Sequence, residues 1–113
     1  MGYDASQIQC LANGTTNGTF GALTQACTGA VVAASAAGTY TITLDAGLPG
    51  DNAAPSKARI MITLVGAAAN ANVNALTKTL VGGQLQFGFT TQVAAGAAAN
   101  EAFDFIVWSD PSN

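Results

Sequence analysis

The sequence predicts an all-β fold, an antiparallel β-sandwich or jelly-roll-like single domain with a polar N-terminal arm. Three observations carry this reading. Apolar and polar residues alternate with a period of two in several short runs. Clusters of Gly, Asn, Pro and Ala separate those runs. No stretch of ten or more residues holds an i, i+3, i+4 apolar pattern with a cap, so helix is disfavoured.

Taken in order, residues 1–27 are polar and turn-rich (Asn13-Gly14, Asn17-Gly18) and lack clear alternation. They read as an arm or irregular edge, and residues 28–113 as the sandwich domain. TGAVVAAS, around Val31 and Val32, is a candidate early strand. GTYTITLD sets Tyr40, Ile42 and Leu44 on one face and Thr39, Thr41 and Thr43 on the other. KARIMITLVG places Ile60, Ile62 and Leu64 against Met61, Thr63 and Val65, the pattern of a strand buried on both faces.

NVNALTKTLV and QLQFGFTTQV flank Gly82-Gly83, a signal for a tight hairpin whose turn needs positive φ at both positions. A two-residue loop pairs Leu80 with Leu85, Lys78 with Phe87 and Leu76 with Phe89, which sets a lysine on an apolar face. A three-residue loop with a bulge sets Lys78 opposite Gly88 instead. Both registers stay open. EAFDFIVWS closes the pattern with Phe103, Phe105 and Val107 on one face and Asp104, Ile106 and Trp108 on the other. Ile106 and Trp108 fit a second core face, the reading that burial favours, or a partner surface, where Trp is enriched.

A chain of 113 residues suits one domain that needs no metal or disulfide staple. Half the residues are hydrophobic and 8% are charged, which opposes disorder and leaves a surface with little to repel its neighbours. Self-association is expected, with a trimer favoured. The cations are Lys57, Arg59 and Lys78, too few and too scattered to bind a phosphate backbone, so nucleic acid is excluded as an expected partner. No apolar run approaches the roughly 18 residues of a membrane span, and the first residues lack the pattern of a secretory signal. Cys10 and Cys27 read as two small, partly buried thiols, with a disulfide that closes the loop between them as the alternative. The sequons Asn13-Gly14-Thr15 and Asn17-Gly18-Thr19 read as turns.

Chemistry finds little foothold. The chain has no histidine, which removes the His-dependent nucleophile systems and the commonest transition-metal ligand. Two cysteines alone do not complete a zinc site. Glu101 and Asp104 fall on opposite faces by strand spacing. Asp45, Asp51 and Asn52 flank a Pro-Gly turn and read as turn residues rather than calcium ligands. No catalytic, cofactor or metal residues are expected, and the chain does not read as an enzyme.

The connections carry more. If consecutive strands run antiparallel, successive connections alternate between the two ends of the sheet. The first, third and fifth (33–38, 67–72 and 94–100) then share one end, and all three are uncharged and rich in Ala, Gly and Asn. Such loops form a flat surface that another protein can approach closely. Ala68, Ala69, Asn70, Ala97, Ala98 and Ala99, with Trp108, are the candidate partner interface.

From about residue 37 onward, GTYTITLDAGL, ARIMITLVGAAAN, the hairpin and NEAFDFIVWS resemble small structural proteins of tailed bacteriophage virions, of the capsid decoration, cement or head-fibre type. The resemblance implies a small β-sandwich on the capsid surface whose partner is the major capsid protein. It implies no catalytic residues. A carbohydrate-binding module or fibre tip for host attachment is the alternative expectation, and the scatter of Tyr3, Tyr40 and Trp108 speaks against it.

Overall fold

The computed structural model describes residues 9–45, 58–66, 71–93 and 96–109. Among them lie eight strands and no helix: β1 (Gln9–Thr16), β2 (Gln25–Thr28), β3 (Ala30–Ala36), β4 (Thr39–Leu44), β5 (Ala58–Leu64), β6 (Asn72–Val81), β7 (Gln84–Gln92) and β8 (Phe103–Ser109). Sheet I has the order β2-β1-β8-β5 and sheet II the order β3-β4-β7-β6, with every pairing antiparallel. The two sheets pack face to face as a β-sandwich. β1 and β2 lie over β3, and the Lys78 Nζ of β6 donates to the Ala58 carbonyl of β5 at 3.0 Å, so β5 and β6 share the opposite side.

Period-two alternation builds the core directly. β4 contributes Tyr40, Ile42 and Leu44, β7 contributes Leu85, Phe87 and Phe89, and β8 contributes Phe103, Phe105 and Val107. Each large apolar side chain so buried contributes roughly 1.5–3 kcal/mol relative to exposure. The rings of Tyr40, Phe89 and Phe103 form a triangle with centroids 5.1–5.5 Å apart. Two of its three pairs meet edge to face, the geometry that aromatic quadrupoles prefer.

Several local features differ from the sequence-based expectation. Residues 9–28, expected as an arm or irregular edge, supply β1 and β2, and β1 lies inside sheet I between β2 and β8. β3 runs on through Ala33–Ala36, so the first connection shrinks to Ala37-Gly38. Gly38 has φ 75°, and a Cβ there would sit 2.6 Å from the Ala99 nitrogen. β5 is not buried on both sides. Met61 is 56% exposed and Ile106, its cross-strand neighbour on β8, is 40% exposed, because the outer face of sheet I carries no further layer among the described residues.

The hairpin takes the two-residue register, with Val81 opposite Gln84, Leu80 opposite Leu85 and Lys78 opposite Phe87. Gly82 and Gly83 have φ 61° and 84°, as the turn requires. A bulge between Asn74 and Thr77 takes Leu76 out of register with Phe89. Lys78 does face inward. Its stem covers the flank of the core and its ammonium reaches the Ala58 carbonyl.

Candidate partner interface

Strand register places the strand ends that flank the Ala-rich connections at one end of the sandwich. Thr39 pairs with Thr90, Asn72 with Gln92, and both Thr16 and Leu64 with Phe103. Gly38, Ala71, Ala97–Asn100 and the β1–β2 loop therefore meet at the same end. Ala97 and Ala98 are exposed and Ala99 is half-buried. Ala68, Ala69 and Asn70 lie outside the described residues; the flanking Val65 and Gly66 are exposed. Trp108 does not join this group. It is half-buried on the outer face of sheet I, opposite Cys10 and Arg59 at the far end of β8.

The end is held by a small set of polar groups. Asn17 organises the β1–β2 loop: its Oδ1 accepts from the Thr19 and Thr24 amides at 3.1 and 3.0 Å, and its Nδ2 donates to the Ala22 carbonyl at 3.0 Å. Thr16 Oγ1 donates to the Thr24 carbonyl at 2.7 Å and accepts from the Gly18 amide at 3.1 Å. These are the local side-chain bonds that make Asn and Thr favourable in turns. The Asn17 sequon thus serves as a turn, with its amide engaged at both ends.

Two residues tie this loop to the others. Tyr40 Oη, fully buried, donates to the Gly18 carbonyl at 2.6 Å and accepts from the Glu101 amide at 3.2 Å. Asn100 Oδ1 accepts from the amides of Phe20 and Gly38, each at 3.3 Å. Thr91 completes the frame, donating its hydroxyl to the Ala99 carbonyl at 2.6 Å and its amide to the Gly38 carbonyl at 2.8 Å. At Gly18, φ is 67° and a Cβ would collide with the Glu101 carbonyl, so only glycine allows this approach.

Phe20 stands on this frame and is 49% exposed. Its amide is fixed by Asn100, so the aromatic side chain projects from a held backbone rather than from a loose arm. Ala22, Ala37, Ala97 and Ala98 at the same end are all exposed; of the charged residues described nearby, Glu101 is buried and Asp104 lies exposed on the outer face of sheet I. The surface offers one aromatic anchor on a neutral, small-residue platform. Phe20 is the exposed aromatic residue at this end that the sequence reading did not single out.

Elsewhere, a groove of about 430 Å³ beside the loop, lined by Thr15, Thr16, Asn17, Thr24, Gln25 and Ala26, presents hydroxyls and amides but no titratable side chain. No three His, Cys, Asp or Glu residues gather within metal-binding reach among the described residues. Asp45 is exposed, and Asp51 and Asn52 lie outside the described residues. Cys10 and Cys27 are free thiols on opposite faces of sheet I. Burial pushes the Cys27 thiol above its ordinary pKa, and a backbone hydrogen bond at Thr15 offsets this in part. Comparison with family models, with curated proteins and with solved structures returns no match.

Proposed function

We propose that this chain is a non-enzymatic structural protein of a virion, which binds the assembled major capsid protein and decorates or stabilises the shell. The observation that supports the reading most is the pre-organised neutral end around Phe20, Ala97 and Ala98. Its backbone is already fixed by Tyr40, Asn17 and Asn100, so docking costs little ordering entropy. Small residues let a partner backbone approach closely and leave no charge to desolvate, and an exposed aromatic ring is the usual form of an interface anchor. The resemblance of residues 37 onward to phage virion proteins supplies the partner class. The sugar-binding alternative loses support because Tyr40, one of its few aromatics, is fully buried.

The test is the composition of purified virions, with the protein quantified by mass spectrometry against the coat protein. A fixed stoichiometry is expected, and absence from the particles overturns the reading. Rebinding to shells that lack the protein then locates the contact. Phe20→Ala combined with Ala97→Glu should abolish rebinding, because a buried unpaired carboxylate costs several kcal/mol. Thr28→Glu, exposed at the opposite end, should rebind normally. Wild-type occupancy by the double variant removes this end as the contact.

A further inference from the structure

The two sheets end in four edge strands, β2 and β5 in sheet I, β3 and β6 in sheet II. An open edge is a template for another strand, and proteins blunt the edges they do not use. Three of these four are blunted. β2 has only four residues. β3 is bulged between Ala34 and Ala36, and the side-chain amide of Gln25 occupies its Val32 N–H and C=O. β6 is bulged between Asn74 and Thr77, where Ala75 takes φ 56°. Among the described residues β5 is the least blunted: Lys78 Nζ occupies the carbonyl of Ala58, its first residue, and leaves the outward groups of Ile60, Ile62 and Leu64 uncapped. The strand runs seven residues in unbroken register with β8 and contains neither Pro nor Gly.

The direction of its free groups follows from one bond. The Val65 N–H donates to the Ala102 carbonyl of the β8 side, so by ladder alternation the odd-numbered residues of β5 bond toward β8. Ile60, Ile62 and Leu64 then turn their N–H and C=O groups to the open side. Ala58 has the same parity, and its carbonyl does point outward, to Lys78.

We infer that β5 pairs antiparallel with β5 of a second copy across a twofold axis at Met61, joining the two copies of sheet I into one eight-stranded sheet. This register lets Ile60 exchange both backbone bonds with Ile62 of the second copy, and Ile62 with Ile60. The side-chain rows match as well. On the outer face, the exposed pair Ile106 and Met61 continues into Met61 and Ile106 of the second copy, one apolar row of four. In the rows on either side, Arg59 lies beside Thr63 of the second copy, whose β8 neighbour is Asp104. Opposite charges share a row, twice by symmetry, and no like charges face each other. The exposed Leu76 and Leu80 of β6 flank the same side of the sandwich.

An antiparallel edge is its own complement under a twofold, which is why the occupant is a second copy. A ring of three would need a second open edge to receive β5, and the other edges described are blunted. The pairing gives a dimer, where a place on a capsid axis would favour a trimer. It does not depend on the virion reading.

Sedimentation of the full chain at micromolar concentration tests it. Wild type should run as a dimer. Met61→Lys sets two ammonium groups face to face at the axis, and should weaken association at least tenfold while leaving the far-UV circular dichroism unchanged. A second variant guards against misfolding. In a Cys10→Ser, Cys27→Ser background, Met61→Cys should form a disulfide-linked dimer under mild oxidation. Directly opposed residues of a non-hydrogen-bonded pair have Cα atoms about 4.5 Å apart, within disulfide range. Thr63→Cys in the same background faces residue 59 and should not link. A monomeric wild type, a Met61→Lys dimer of wild-type affinity, or linking by Thr63→Cys as fast as by Met61→Cys overturns the pairing.

Discussion

The side chain of Gln25 meets the backbone of Val32 as a neighbouring strand would. Its Nε2 donates to the Val32 carbonyl and its Oε1 accepts from the Val32 amide, both at 2.8 Å. One amide thus satisfies both polar groups of an edge residue and joins sheet I to sheet II at the β2–β3 corner. Gln25→Ala should cost about 1–2 kcal/mol, since two net hydrogen bonds are lost from an exposed side chain with no core volume removed. Urea unfolding measures the loss. The variant should also scatter more light on storage, because the β3 edge is then open. Unchanged stability would mean that water replaces the amide without penalty.

Tyr40→Phe isolates the hydroxyl that links Gly18 to Glu101. The ring stays in its aromatic triangle, so the change removes bonds and not packing. A loss of about 1–3 kcal/mol is expected, because the Gly18 carbonyl and the Glu101 amide are left without a partner in a buried setting. Hydrogen exchange should speed up at Glu101 and in residues 17–24 while strand β7 keeps its protection. Uniform acceleration everywhere would show that the hydroxyl supports the whole core and not the end.

Ala75 sits at φ 56°, a conformation that costs an L-residue roughly 1–2 kcal/mol. Ala75→Gly removes the strain and gives part of it back as unfolded-state entropy, so a net gain of about 0.5 kcal/mol is expected. Ala75→Val should lose more than 1 kcal/mol, as β-branching makes the left-handed region harder to reach. Thermal unfolding of the pair of variants reads the sign directly. Equal effects from Gly and Val would argue that Asn74, whose Oδ1 accepts the Ala75 amide at 2.8 Å, sets the bulge on its own.

Cys27 should make the fold sensitive to alkali. Burial raises the thiol pKa in the folded state above its unfolded value. The folded chain therefore holds this proton where the unfolded chain has released it. The contribution is fully present below the ordinary thiol pKa of about 8.5 and is lost as pH rises through the higher folded value. Unfolding midpoints of wild type should fall from neutral to alkaline pH more steeply than those of Cys27→Ala. Parallel slopes would place the alkaline sensitivity elsewhere.

Much of sheet II was legible in the sequence, because large side chains alternate along β4 and β7 and on β8 of the facing sheet. β1 was not. Leu11 is buried at its bulge, and its other inward positions, Ala12, Gly14 and Thr16, are small: a Cβ at Gly14 would lie 2.9 Å from the Phe105 ring and closer still to the Cys27 sulfur. A strand whose core face must stay small shows no apolar alternation. Antiparallel counting puts the strand ends that flank the Ala-rich connections at one end, as the register has them, and the same counting carries Trp108 to the other end. Phe20 was hidden for a different reason. Its place depends on Asn100, eighty residues away, and on an Asn17 loop whose pattern of bonds no local propensity encodes.

The pairing of β1 with β8 has a consequence for how the chain is made. Sheet II is assembled from β3, β4, β6 and β7, all of which precede β8 in the chain, and its core face comes together without β1. Sheet I has to wait. Of the described strands β1 is made before the others, yet its longer ladder is with β8, about ninety residues later. Closing so distant a contact is slow, and folding rates fall as the mean sequence separation of contacts rises. The nascent chain thus passes through a stage in which Leu11, Ala12 and the inner face of sheet II are all uncovered. Translation past β8, rather than the formation of any one hairpin, is the step that ends this exposure.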